Sequence, residues 1–148
     1  MTDYLEDRAQ DELKRVDHLI YVSLKYTRTC DVMLNAMKRM ISAFELGMND
    51  LLFHYQAKKK IKDIPDSSKE KVELLEKLFK NKVTKHTKFY SLLKKIETCE
   101  FSRREEYRKH VTMIAMIDGK KLEIDTPTLL DYYKKTREFV DFVKEVAS

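Results

Sequence analysis

Turns are what this sequence has least of. Among 148 residues there are two glycines, Gly47 and Gly119, two prolines, Pro65 and Pro127, and no tryptophan. Glycine and proline supply the backbone geometries that reverse a chain, so with few of them the elements in between must be long. The scarcity excludes a β-sandwich or barrel, which needs a reversal every few residues. It also excludes the glycine-rich loops that cradle nucleotide phosphates, and the G-x-S-x-G elbow that presents a nucleophilic serine. Two cysteines, Cys30 and Cys99, make neither a disulfide framework nor a zinc site, and a reducing cytoplasm is the expected setting. There is no run of ~18 apolar residues, so no membrane span is expected. Residues 1–17 are acidic and polar and do not read as a signal peptide.

What the chain does carry is charge and periodic apolar residues. Charged side chains make up 37% of it and apolar ones 43%, the balance of helices with solvated outer faces around a core. The length suits one domain, and a single helical domain over 1–148 is expected. The net charge is +5, unevenly placed: residues 1–17 hold six acids and three bases, which leaves about +8 on the remainder. A moderately basic body can attract nucleic acid or another anionic surface.

Apolar spacing places the elements. Asp3 with Glu6 reads as a capping box for a first helix. Its stripe is Leu5, Ala9, Leu13, Val16, Ile20 and Leu24, ending near Tyr26. The segment Thr27–Asp31 reads as a turn with Thr29 or Asp31 as the next cap, or as a bend in one helix. Leu34, Met37, Ile41, Phe44, Met48, Leu51 and Tyr55 then keep a strict 3-4 alternation, the seam of a helix packed nearly parallel or antiparallel to others. Ala36, Ala43 and Gly47 run beside it and invite a neighbour close. This helix is expected to reach about Lys60. Ser67 with Glu70 caps a third helix carrying Val72, Leu75, Leu78 and Phe79. A break at 81–84 precedes a fourth, with His86, Phe89, Tyr90, Leu93 and Ile96. Ser102 with Glu105 is a further capping pattern, either opening a short helix at 103–110 or a coincidence within the preceding one. Around Asp118-Gly119 the β-branched run 111–117 and the run 120–124 predict a hairpin at about 111–125. Thr126 as N-cap and Pro127 in the first turn then open a last helix. Its buried stripe is Leu129, Tyr133, Thr136, Val140, Val143 and Ala147, widened by Tyr132, Phe139 and Val146. The fold class is all-α: an up-and-down bundle of four to five helices with a small β-hairpin before the last.

The chemistry is sparse. His18, His54, His86 and His110 form no HExxH pair and none follows a Glu by three residues, so neither a metal nor another cofactor is implied. The densest polar cluster is 102–110. Within it Arg104 is followed after five residues by His110, and Arg103 after six. In this motif and in its helical plan the chain resembles the HEPN domains, which are small and commonly dimeric helical bundles. The resemblance implies a metal-independent ribonuclease, with His110 activating an RNA 2′-hydroxyl and Arg104 holding phosphate. The residue types suit that chemistry, since His titrates near neutrality and Arg grips phosphate in a fork. Glu105 stands where the family usually has a small polar residue.

Two further readings come from the surface. Lys58, Lys59, Lys60 and Lys62 end the second helix, and Lys80, Lys82, Lys85 and Lys88 surround the third-to-fourth junction. If these ends meet they form a phosphate-binding lobe, with Arg103 and Arg108 as further cations. Tyr132 and Tyr133 beside Lys134 and Lys135 read as a stacking platform or as core with a charged rim. The long seam of the second helix and the open edges of the ribbon suggest a homodimer. The leading expectation is therefore a self-associating helical interaction module with RNA or DNA as a partner and no membrane; the alternative is the HEPN-like ribonuclease.

Overall fold

The 3-4 seam becomes the axis of the molecule. In the computed structural model, which describes residues 2–148 with side chains from Arg8 onward, α2 runs Cys30–Ala57 and packs against each of the other four helices. Those are α1 (Thr2–His18, with its continuation to Thr27), α3 (Ser68–Phe79), α4 (Thr84–Thr98) and α5 (Thr126–Ala147). A stripe on one side would serve a peripheral helix, but α2 is central. Met33, Met40 and Leu52, outside the predicted seam, are therefore as fully buried as Met37, Phe44 and Leu51. Gly47 answers for the closeness of α5: a Cβ there would stand 2.8 Å from Phe139 Cε2 and 3.2 Å from Val143 Cγ2.

The first helix is continuous through the expected stripe, with Ala9, Leu13, Val16, Ile20 and Leu24 all buried. The Asp3–Glu6 capping box and Leu5 lie outside the described side chains. The helix α1 begins as Thr2–His18, widens into a π-helix over Leu19–Leu24 and closes with Lys25–Thr27. Arg28 then turns left-handed at φ 51°, and Thr29, not Asp31, caps α2 by accepting from the Val32 N–H at 3.3 Å. The alternative of one bent helix is excluded by that left-handed residue. At its far end α2 stops at Ala57, short of Lys60, because Lys59 is itself left-handed at φ 61°. Ser67 caps α3 as expected, its Oγ accepting from the Glu70 N–H at 3.1 Å. A single 3-10 turn, Lys80–Lys82, makes the predicted break before α4.

The largest departure lies between α4 and α5. Residues 103–110 form no helix. Phe101–Arg104 is a strand, β1, and Ser102 and Glu105 do not act as a capping box. It pairs antiparallel with β2 (Thr112–Ile117), which pairs antiparallel with β3 (Lys120–Ile124), so the hairpin is the inner part of a three-stranded meander. A lone ribbon would be marginal, and the third strand adds a ladder on its open side. The Asp118-Gly119 turn has φ of 52° and 78°, the two positive values that a type I′ turn requires. Met113, Ala115 and Ile124 face the bundle, while Met116 faces outward. The last helix is capped one residue earlier than expected. Asp125, not Thr126, accepts from the Thr128 N–H at 2.9 Å and also from the Thr128 hydroxyl. Among the described residues no helix is long and apolar enough to cross a membrane.

Candidate functional site

The backbone is least regular where α1 ends. Over Leu19–Leu24 the helix widens into a π turn, with Ile20 and Leu24 buried and Tyr21 and Val22 exposed. Such π segments are uncommon and collect at functional sites. Just beyond, the carbonyl of Arg28 accepts from the Tyr107 N–H at 2.8 Å, docking the loop 105–111 onto the end of α1. That loop carries Glu105 at φ 58° and Tyr107 at φ 68°. With Arg28, three of the six left-handed non-glycine residues described in the protein meet at this corner. Each is a conformation that L side chains rarely adopt and that the surrounding structure must hold in place.

The three pieces enclose a cavity of about 420 Å³. Its floor is apolar, from Ile20, Leu24, Pro127 and Leu130. Its rim is Tyr21, Lys25, Arg28, Lys109 and His110. Thr126 and Pro127 bring the first turn of α5 to it, the end at which a helix favours negative charge. Tyr26, next in the chain to Lys25, is 82% exposed, and Tyr107, whose N–H bonds to the Arg28 carbonyl, is 77% exposed: two rings with almost no protein cover, outside the cavity lining itself. Arg108, exposed, reaches no closer than 3.7 Å to Glu105.

The two motif arginines are placed differently. Arg103 is a clamp: it holds Asp31 at 3.0 Å and Glu106 at 3.1 Å, and the Glu106 carboxylate also accepts from the Cys30 N–H at 2.9 Å. That N–H and then Arg103 hold Glu106 below the usual carboxylate range, and Arg103 does the same to Asp31. Arg104 pairs with Glu123 on β3. It is not among the residues lining the cavity, although its charge helps keep Asp125 ionised after the two Thr128 hydrogen bonds. Arg104 thus acts on the Asp125 cap through its charge while His110 lines the cavity with Thr126 and Pro127, one on a strand end and the other in a loop rather than on a helix.

The remaining sequence candidates lie elsewhere. Lys58, Lys59, Lys60 and Lys62 are exposed at the other end of α2, about 42 Å away along a helix of that length. Lys60 stands 5.1 Å over the Tyr55 ring, and Tyr55 shares a cavity with Lys82. Lys85 and Lys88 line a different cavity, beside His86. Tyr132 and Tyr133 are buried, so they belong to the core and offer no stacking platform; Tyr133 donates to Asp17 at 3.2 Å. Cys30 is fully buried, and burial pushes its thiol up to about 11, so it is no nucleophile at neutral pH.

Tyr21, Lys25, Tyr26 and Arg28 were not singled out by any sequence pattern, and Tyr107 and Lys109 were marked only as members of the polar cluster 102–110. A helix ending in aromatic and basic residues, Tyr26 with Lys25 and Arg28, was the one local hint. Nothing local joins it to residues 107–110. Among the described residues no group of three or more His, Cys, Asp or Glu side chains is placed to hold a metal ion. Compared with known protein families, curated proteins and solved structures, the chain finds no match.

Proposed function

We propose that the corner formed by the end of α1, the 105–111 loop and the start of α5 binds single-stranded nucleic acid, RNA or DNA. The observation that carries the reading is that two uncovered tyrosines, Tyr26 and Tyr107, stand on the same two chain segments that bring Lys25, Arg28, Lys109 and His110 to one cavity. Cations track a phosphate backbone, and flat rings stack on unpaired bases without regard to their identity. A duplex hides those base faces, so the single strand is favoured. Fluorescence anisotropy with a labelled single-stranded oligonucleotide tests this. Tyr26→Ala with Tyr107→Ala is expected to weaken binding at least tenfold, since each stacked base contributes ~1–3 kcal/mol. Lys25→Gln with Lys109→Gln is expected to weaken it as well. Replacing Lys58, Lys59, Lys60 and Lys62 by Gln is expected to leave it unchanged. Loss of binding in the last variant alone would move the surface to the far end of α2 and end the proposal.

One observation favours cleavage as a second reading: Arg104 acts through its charge on the Asp125 cap of α5, and His110 lies exposed on the rim of the cavity that Thr126 and Pro127 also line. RNA hydrolysis in the presence of a chelator, abolished by His110→Ala, would establish the HEPN-like ribonuclease; intact RNA after prolonged incubation would leave binding alone. Self-association has its own support. Both β1 and β3 are edge strands, and Met116 is exposed on the outer face of their sheet. We read this face as the place where a second copy of the chain pairs. Sedimentation giving monomer mass at high concentration would rule that out.

A further inference from the structure

We infer that the cleft between α4 and α5 is a second binding site, built for a small anion attached to a flat apolar body, such as an aromatic carboxylate. It lies apart from the nucleic-acid corner and does not depend on it. The cleft encloses about 410 Å³ between Lys85, His86, Lys88, Phe89 and Leu92 of α4 and Lys135 and Glu138 of α5. Phe89 and Leu92 supply an apolar wall. Its charged lining is three lysines and one carboxylate, with Lys85 and Lys88 on α4 and Lys135 and Glu138 on α5. Lys85 and Lys88 make no ion pair among the described residues, while Lys135 is shared between Asp131, at 3.3 Å, and the Phe89 ring, at 5.6 Å.

The second and independent observation is His86. It is 6% exposed, yet it lines the cleft. Its ring rests against Phe139 at 5.2 Å and Phe142 at 5.4 Å, and its nitrogens make no hydrogen bond among the described residues. Burial first, then the charge of Lys85, pushes its pKa down to about 4, so the ring is neutral at physiological pH and offers one N–H donor and one acceptor. Neither nitrogen is both fully buried and unpartnered, so the ring edge keeps contact with the cleft, within reach of a ligand. A carboxylate seated in the cleft would accept from that N–H and meet the lysine ammonium groups, with its ring against Phe89 and Leu92. Inorganic phosphate has the charge without the body, and a neutral arene has the body without the charge. The shape and charge ask for both.

An NMR titration of the intact protein with 2-naphthoate tests the inference. The expected result is saturable movement of the His86 imidazole and Phe89 ring signals, with the signals of Tyr21 and His110 unmoved. The neutral analogue 2-naphthalenemethanol and inorganic phosphate are each expected to bind at least tenfold more weakly. Lys88→Gln with Lys135→Gln, both exposed and safe for folding, is expected to weaken 2-naphthoate at least tenfold. Unmoved His86 signals, equal binding of the neutral analogue, or unchanged affinity in the lysine variant would each overturn it.

Discussion

Replacing Gly47 by alanine sets two effects against each other, and the structure decides which prevails. In the interior of a helix the exchange normally stabilises by ~1 kcal/mol, because glycine loses more backbone freedom on folding. Here the new methyl would come within 2.8 Å of Phe139 Cε2 and 3.2 Å of Val143 Cγ2. The nearer of the two is closer than real Cβ atoms come to a neighbour, so Phe139 or the spacing of α2 and α5 must give. The ring has little room: it is 1% exposed, stacked on Phe44 at 4.6 Å and 11°, and flanked by His86 at 5.2 Å. Overpacking a filled core costs ~1–3 kcal/mol. With this ring confined, the cost falls in the upper half of that range, about 2–3 kcal/mol, and the expected balance is a net loss of about 1–2 kcal/mol, or a fall in Tm of ~2–8 °C for a domain of this size. Thermal and urea denaturation of Gly47→Ala measure it. Combining it with Phe139→Leu removes the offending ring edge, and the double variant should lose less than the sum of the singles, by ~0.5 kcal/mol or more. A Gly47→Ala protein as stable as the parent or more so would refute the argument that this glycine exists to let two helices touch.

The start of α5 offers a sharper contrast. Asp125→Ala should cost about 1 kcal/mol, the usual worth of an N-cap, whereas Thr126→Ala should stay within ~0.5 kcal/mol in the same denaturation experiment. For the nucleic-acid corner, four cations (Lys25, Arg28, Arg108 and Lys109) predict a slope of about −2.8 in log K against log salt on a single strand, or binding ~50-fold weaker at 200 mM than at 50 mM salt. A flat dependence would contradict the reading. His86 gives a pH signature. Its folded pKa, about 4, lies below the ordinary 6.5 of the unfolded chain, so the unfolded state takes up the proton first. The stability linked to its neutral form is complete above pH 6.5 and drains away as the pH falls toward 4, a loss on the order of 2–4 kcal/mol. Between pH 7 and 5 the carboxylates held low by their partners, Asp31, Glu106 and Asp125, remain ionised. The fall in Tm over that range should therefore flatten in His86→Leu.

Much of the scaffold was legible because its signals are local. The stripes of α1 and α2 are written at helical spacing, Thr29 and Ser67 cap by reaching three residues ahead, and Asp118-Gly119 needs only its own backbone angles. The largest failure is long-range. Phe-Ser-Arg-Arg has no alternating apolar face of its own. It is a strand because Thr112–Ala115 lies beside it, and the Ser102–Glu105 capping pattern carries no weight against that ladder. The cap of α5 moved to Asp125, whose carboxylate also takes the Thr128 hydroxyl. Lys60 fell outside α2 because Lys59 turns left-handed where no glycine announced it. The cavity corner was invisible because its parts lie far apart in the chain. Tyr21 and Arg28 meet Lys109 and His110 only after some eighty residues of intervening chain have folded.

The carboxylate of Glu106 closes the first turn of a helix that began at Cys30. During synthesis the ribosome delivers that helix long before it delivers its latch. Thr29 can steady the nascent turn at Val32, but the N–H of Cys30 waits for residue 106, and the Arg103–Asp31 clasp waits with it. A chain stalled earlier would hold its central rod with one end unfastened.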